Sequence, residues 1–126
     1  MVQSPTSAST GGDVDWSSKD VWTAVDDDAV EALLTALDDA YCRTILDATS
    51  ERALSAKEVS DACDLPLSTT YRKLEQLTDT GLLDERTRIR RTGKHASEYR
   101  RVVEDVVVSL DPHGGLELQV STREHS

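Results

Sequence analysis

The chain has 126 residues, of which 37% are hydrophobic and 30% charged, and its formal net charge at pH 7 is −10. That length suits one domain around a single core. No apolar run approaches the roughly 20 residues that a membrane-spanning helix needs, and no charged-then-apolar leader opens the chain, so a cytoplasmic protein is expected.

The first stretch, residues 1–25, is rich in Ser, Thr, Gly and Asp and reads as a disordered acidic arm. Trp16 and Trp22 interrupt it, and either could dock on the domain or on a partner protein. From Asp26 the pattern turns helical. Val30, Leu33, Leu34, Leu37 and Tyr41 fall on one stripe of a 3.6-residue period. Asp26, Asp27 and Asp28 sit where the positive end of a helix dipole favours anions. Asp38-Asp39 can divide the stretch into two helices, the second carrying Tyr41, Cys42, Ile45 and Leu46.

Ser55-Ala56-Lys57-Glu58 has the form of a capping box, in which the serine oxygen accepts from the third backbone amide and the glutamate reaches back. It predicts a short helix to Cys63 with Val59 and Ala62 inward, stopped by Asp64-Leu65-Pro66. Ser68 is the expected cap of the next helix, whose apolar side is Thr70, Leu74 and Leu77 and whose end is Gly81 in a left-handed conformation. Two short helices joined by a tight turn make a helix-turn-helix. Leu83 to Arg91 and Ser97 to Val103 then read as strands around the turn Thr92-Gly93-Lys94-His95, a basic wing. Val106, Val108 and Leu110 alternate in a further strand, as do Leu116, Leu118 and Val120, with Asp111 to Gly115 turning between them. The expected fold class is α+β, mostly α: a winged helix-turn-helix over residues 26–103 with a C-terminal β-hairpin extension over 104–126, available for dimerisation.

Charge is unevenly placed. Residues 1–66 carry a balance of −10 and residues 67–126 a balance of zero, and the window Arg86 to Arg101 alone is +6. A local cationic excess in an acidic chain points to an anionic partner, and double-stranded DNA is the leading candidate. Aspartate outnumbers glutamate 15 to 9 and arginine outnumbers lysine 10 to 4, a bias that points to adaptation to high salt.

Residues 38–103 resemble winged helix-turn-helix transcription regulators of the arsenic-repressor-like (ArsR-like) class, in forms common in salt-loving archaea. The residues that carry the likeness are "YCRTILDAT", "LSAKEVSDACDLPLSTTYRKLEQLTDTGLL" and "ERTRIRRTGKHASEYR". The resemblance implies that the second helix enters the major groove and the wing follows the adjacent minor groove. It assigns DNA contact to Ser68, Thr69, Tyr71, Arg72, Lys73 and Gln76 on the helix, and to Arg86, Arg88, Arg90, Arg91 and Lys94 on the wing. Helix spacing independently turns 69, 72, 73 and 76 outward once Thr70, Leu74 and Leu77 face in. Arg72, with a planar fork matched to guanine, is the expected base reader. For Tyr71 a place in the core is an equal reading.

Relatives that sense metals use a cysteine pair on the first helix of the motif; here that helix holds Cys63 alone, so no metal or other cofactor is expected. Cys42 and Cys63 read as buried structural cysteines, with a redox-responsive pair as the alternative. No phosphate loop, nucleophile elbow or metal motif is present, so no enzymatic activity is expected. A homodimer is expected because one such motif reads few bases. The rival class is a winged-helix module that binds protein through its surface and its arm.

Overall fold

The computed structural model describes residues 19–89, 93 and 95–123. In chain order the elements are β1 (Lys19–Ala24), α1 (Asp27–Asp38), α2 (Ala40–Ala48), β2 (Leu54–Ser55), α3 (Ala56–Cys63), α4 (Leu67–Asp79), β3 (Leu83–Ile89), β4 (His95–Arg101), β5 (Val103–Leu110) and β6 (Leu116–Arg123). They form two antiparallel sheets, ordered β1-β6-β5 and β2-β4-β3. The architecture is a mixed α+β winged helix-turn-helix, with strand content close to helix content.

Much of the local punctuation follows the side chains that set it. Asp26 caps α1 by accepting from the Ala29 amide at 3.3 Å. Asp39 ends α1 and caps α2, accepting from the Tyr41 amide at 2.8 Å, so the first helical stretch is two helices. That break shifts the helical phase: Val30 and Leu33 are buried, while Tyr41, expected on their stripe, is exposed. The Ser55–Glu58 capping box closes in both directions. On α3 the inward stripe is Ala56, Val59 and half-buried Cys63, which leaves the expected core residue Ala62 exposed. Asp64 (φ 56°) takes the left-handed conformation that ends α3, and Gly81 (φ 81°) takes it after α4.

Lys19–Ala24 departs from the expected arm. These residues form a strand along β6, with Trp22 opposite Val120 and Ala24 opposite Leu118. Composition over the whole leader hides a six-residue strand whose alternate residues face the core. Trp22 packs on that core, and a Cβ placed on Gly81 would lie 3.3 Å from its ring. Residues 1–18, with Trp16, lie outside the described residues.

The core is aliphatic, as a chain without phenylalanine requires. Leu33, Ile45, Val59, Leu74, Leu77, Leu82, Leu118 and Val120 are fully buried, joining both sheets and all four helices in one cluster. Val102 donates to the Leu82 carbonyl at 3.2 Å and Arg101 to the Thr49 carbonyl at 3.1 Å, which locks the wing's exit strand onto the helices. The closing hairpin puts Leu118 and Val120 inside, but Val108 and Leu110 reach past the helices into solvent.

Candidate nucleic-acid interface

The helix α4 is presented by α3 across the turn Asp64 to Pro66. Thr70, Leu74 and Leu77 bury its inner side. Ser68, Tyr71, Arg72 and Glu75 are exposed, and Thr69, Lys73 and Gln76 are half-buried. Ser68 is not the cap: Pro66 occupies that position, and among the described residues no side chain caps the first turn. Proline's fixed φ suits a helix start, so the helix begins one residue ahead of Ser68. The consequence is functional, because the amides of the first turn keep their donors for an anion.

The cations of α4 differ in availability. Arg72 is exposed and has no partner among the described residues. Lys73 instead reaches back to Asp39 at the start of α2, with only 20% of its side chain accessible. The Lys73 hydrogen bond, with the amides of Cys42 and Tyr41 adding to it and burial opposing it, holds the Asp39 carboxyl below the usual carboxylate range. Gln76 accepts from the Cys42 thiol at 3.7 Å and so faces inward as much as out. Glu75 and Asp79, both exposed, make the second half of the helix anionic. Only its first two turns offer a surface that favours phosphate.

The wing cations Arg86 and Arg88 also have partners of their own. In the β3–β4 register Arg86 lies opposite Glu98 and Arg88 opposite Ala96. Arg86 pairs with Asp84 at 2.9 Å, and Arg88 pairs with Glu98, donating through Nε at 2.6 Å. Their strand face is the one turned from α4, since Glu85 and Tyr99 on the opposite face line a cleft with Tyr71, Glu75, Thr78 and Asp79 of that helix. Two positions apart on a strand, Arg86 and Arg88 share a face by the period-2 rule, and their own carboxylates occupy them. Arg90, Arg91 and Lys94 lie outside the described residues.

Tyr71 stands between α4 and the wing, exposed, so of its two readings the surface one holds. Beside it is an open cleft of about 380 Å³ lined by Ser55, Lys57, Tyr71, Ser97 and Tyr99 among others. Lys57 and Ser97, which the sequence did not single out, thus lie on the same surface as Tyr71. Among the described residues Lys57 carries a distant, exposed ion pair to Asp61 at 3.8 Å. The available signal was its place in the first turn of α3, just after the capping serine.

Cys42 is buried, and burial, with the charge of Asp39 adding to it, pushes its thiol up to about 11. Burial also raises the Cys63 thiol. Both are held protonated at neutral pH, an environment for structural rather than reactive cysteine. Among the described residues no group of three His, Cys, Asp or Glu side chains gathers as a metal ligand set, and no helix is long and apolar enough to cross a membrane.

Architecture and surface together define a winged helix-turn-helix chain. Residues 37–86 match a family model described as a helix-turn-helix domain. No curated protein matches the chain. Solved structures similar to it include NolR from Sinorhizobium fredii, with 18% identity over 59% of this chain and 69% of that one and a TM-score of 0.49. Reduced HlyU from Vibrio cholerae N16961 has 23% identity over 59% of this chain and 73% of that one, also with a TM-score of 0.49. A homodimeric winged helix-turn-helix DNA-binding domain, Mb0332 from Mycobacterium bovis, a possible ArsR-family transcriptional regulator, has 24% identity over 59% of this chain and 64% of its own, with a TM-score of 0.49. These likenesses concern the fold.

Proposed function

We propose that the chain is a cytoplasmic, sequence-specific regulator of transcription that binds double-stranded DNA as a homodimer and has no enzymatic activity. The observation that carries this reading is the exposed Arg72, without a partner among the described residues, beside the uncapped amino end of α4. In this reading Ser68, Thr69 and the first-turn amides hold a backbone phosphate. Arg72 then reads a guanine edge in the major groove. Tyr71, Lys57 and Ser97 border the same approach, and the cations Arg90, Arg91 and Lys94, which lie outside the described residues, contact backbone or minor groove. Lys73, Gln76, Arg86 and Arg88 act as supports, with their own partners, and contribute less.

The acidic remainder of the molecule repels non-specific duplex. In the high-salt setting that the composition supports, the screening length at 1 M is about 3 Å, and binding then depends on close contacts of this kind. A second reading, a protein-interaction module, is favoured by the carboxylates of Glu75 and Asp79 on the outer side of α4. Fluorescence titration of Arg72→Ala and Arg88→Ala against selected and random fragments decides between them. Arg72→Ala is expected to lose about 1–3 kcal/mol on the selected site and much less on random DNA. Arg88→Ala, already paired, is expected to change both slightly. Equal losses on both fragments for Arg72→Ala would remove the base-reading role, and no binding by the parent chain would favour the protein module.

A further inference from the structure

The sheet β1-β6-β5 has two edges, and they differ in kind. β1 opens with Lys19-Asp20, whereas β5 from Val106 to Leu110 reads VVVSL, without a charge in a chain of net −10. Along it Val107, Val108 and Leu110 are 50%, 52% and 75% exposed. Natural sheets blunt such an edge with charge, proline or a bulge, or else they pair it. The one register shift in β5 lies at its start, between Val103 and Asp105, away from this run.

The hydrogen-bond parity shows what the edge offers. Asp111 donates to the Gly115 carbonyl at 2.9 Å and Arg123 donates to the Val102 carbonyl at 2.7 Å. Odd-numbered residues of β6 therefore aim their backbone at β5. With Val107 opposite Gln119 and Ser109 opposite Glu117, those pairs exchange bonds within the hairpin. Val106, Val108 and Leu110 turn their N–H and C=O groups to the open side. Their side chains lie opposite Val120, Leu118 and Leu116, on the face that carries the core.

We propose that this edge pairs antiparallel with the same edge of a second copy, about a two-fold axis at Val108. The statement rests on the homodimer part of the proposed function and is independent of how DNA is held. In that register Val108 faces Val108, and Val106 faces Leu110 of the second copy. Every open N–H and C=O of the three residues is then satisfied. Beside Val106 is a cleft of about 280 Å³ lined by the apolar Leu37, Leu46, Val103 and Val106 together with two arginines, Arg43 and Arg101, and three carboxylates, a net negative charge. The register brings Leu110 of the second copy against it, so the most exposed of the three large hydrophobics on this strand gains cover from the apolar part of that lining. A foreign strand would match the backbone but not this reciprocal fit. Asp105 falls opposite Asp111 of the second copy, so the association tightens as salt rises.

The test is sedimentation of the full chain at tenth-molar and molar salt, without DNA. Val108→Pro removes an N–H that β6 does not use, Leu110→Glu puts a charge against the cleft, and Val21→Glu alters the outward face of the other edge strand. The parent and Val21→Glu are expected to dimerise, more tightly at high salt. Val108→Pro and Leu110→Glu are expected to weaken the dimer by about 30-fold or more. Far-ultraviolet circular dichroism reports folding, and if Val108→Pro is unfolded, Leu110→Glu decides alone because its side chain is three-quarters exposed. A monomeric parent overturns the proposal, as does a Leu110→Glu variant that dimerises like the parent. Arg72→Ala separates the two readings, since it is expected to dimerise normally while losing its selected DNA.

Discussion

Asp39 joins three elements, and removing its carboxylate tests how α4 is held. It caps α2 through the Tyr41 amide at 2.8 Å and the Cys42 amide at 3.3 Å, and it pairs with Lys73 of α4. Loss of a helix cap costs about 0.5–2 kcal/mol. The ion pair is largely shielded, with 20% and 22% of the two side chains accessible, so its contribution lies at or above the top of the exposed-pair range, about 1 kcal/mol. Asp39→Ala is therefore expected to destabilise by about 1.5–3 kcal/mol, or about 10 °C in Tm for a domain of this size. Thermal and urea unfolding of Asp39→Ala, Lys73→Met and the double variant give the coupling, expected at about 1 kcal/mol.

The pH dependence has a definite sign. The folded carboxyl titrates below its unfolded value, so its stabilisation is complete above about pH 4 and disappears as pH falls through the folded pKa. The gap between parent and Asp39→Ala should narrow over that window. A coupling within about 0.3 kcal/mol of zero, which is the scatter expected of independent sites, would refute the claim that Asp39 anchors α4.

The remaining expectations concern a glycine and a thiol. Gly81→Ala should destabilise by more than Gly114→Ala, because both glycines have φ near +80° but only Gly81 has an aromatic ring 3.3 Å from the added Cβ. The strain common to both is about 1–2 kcal/mol, and chemical denaturation of the pair isolates the Trp22 contact as the difference. Cys42, with its thiol pushed up to about 11, should alkylate slowly at neutral pH, after Cys63, with a rate that climbs through the alkaline range. A plateau at the ordinary thiol value of about 8.5 would contradict the burial argument and revive the redox-responsive reading.

Much of the fold was legible because its signals are local. The capping box at Ser55, the helix break at Asp39, the Thr70-Leu74-Leu77 stripe and the glycine at 81 are each set by a few neighbouring residues and their backbone preferences. The cap at Ser68 was misplaced for the same local reason: serine competes for that position, but Pro66 two residues earlier has the dihedral angle that starts a helix. The strand Lys19–Ala24 was hidden because its stability comes from β6, almost a hundred residues later, and not from its own composition.

The sequence by itself determined that a helix-turn-helix and a following hairpin would form, and that Thr69, Arg72, Lys73 and Gln76 would turn away from the Thr70-Leu74-Leu77 stripe of α4. Only tertiary structure decided which cations stay available. Lys73, Arg86 and Arg88 look alike in a charge count, yet each lies within reach of Asp39, Glu98 or Asp84, two of them contributed by other elements. Ion pairing depends on separation in space over a few ångströms, whereas sequence spacing specifies separation only within one helix or strand. The open surface of Arg72 and the uncharged edge of β5 emerge from what the neighbouring elements leave uncovered.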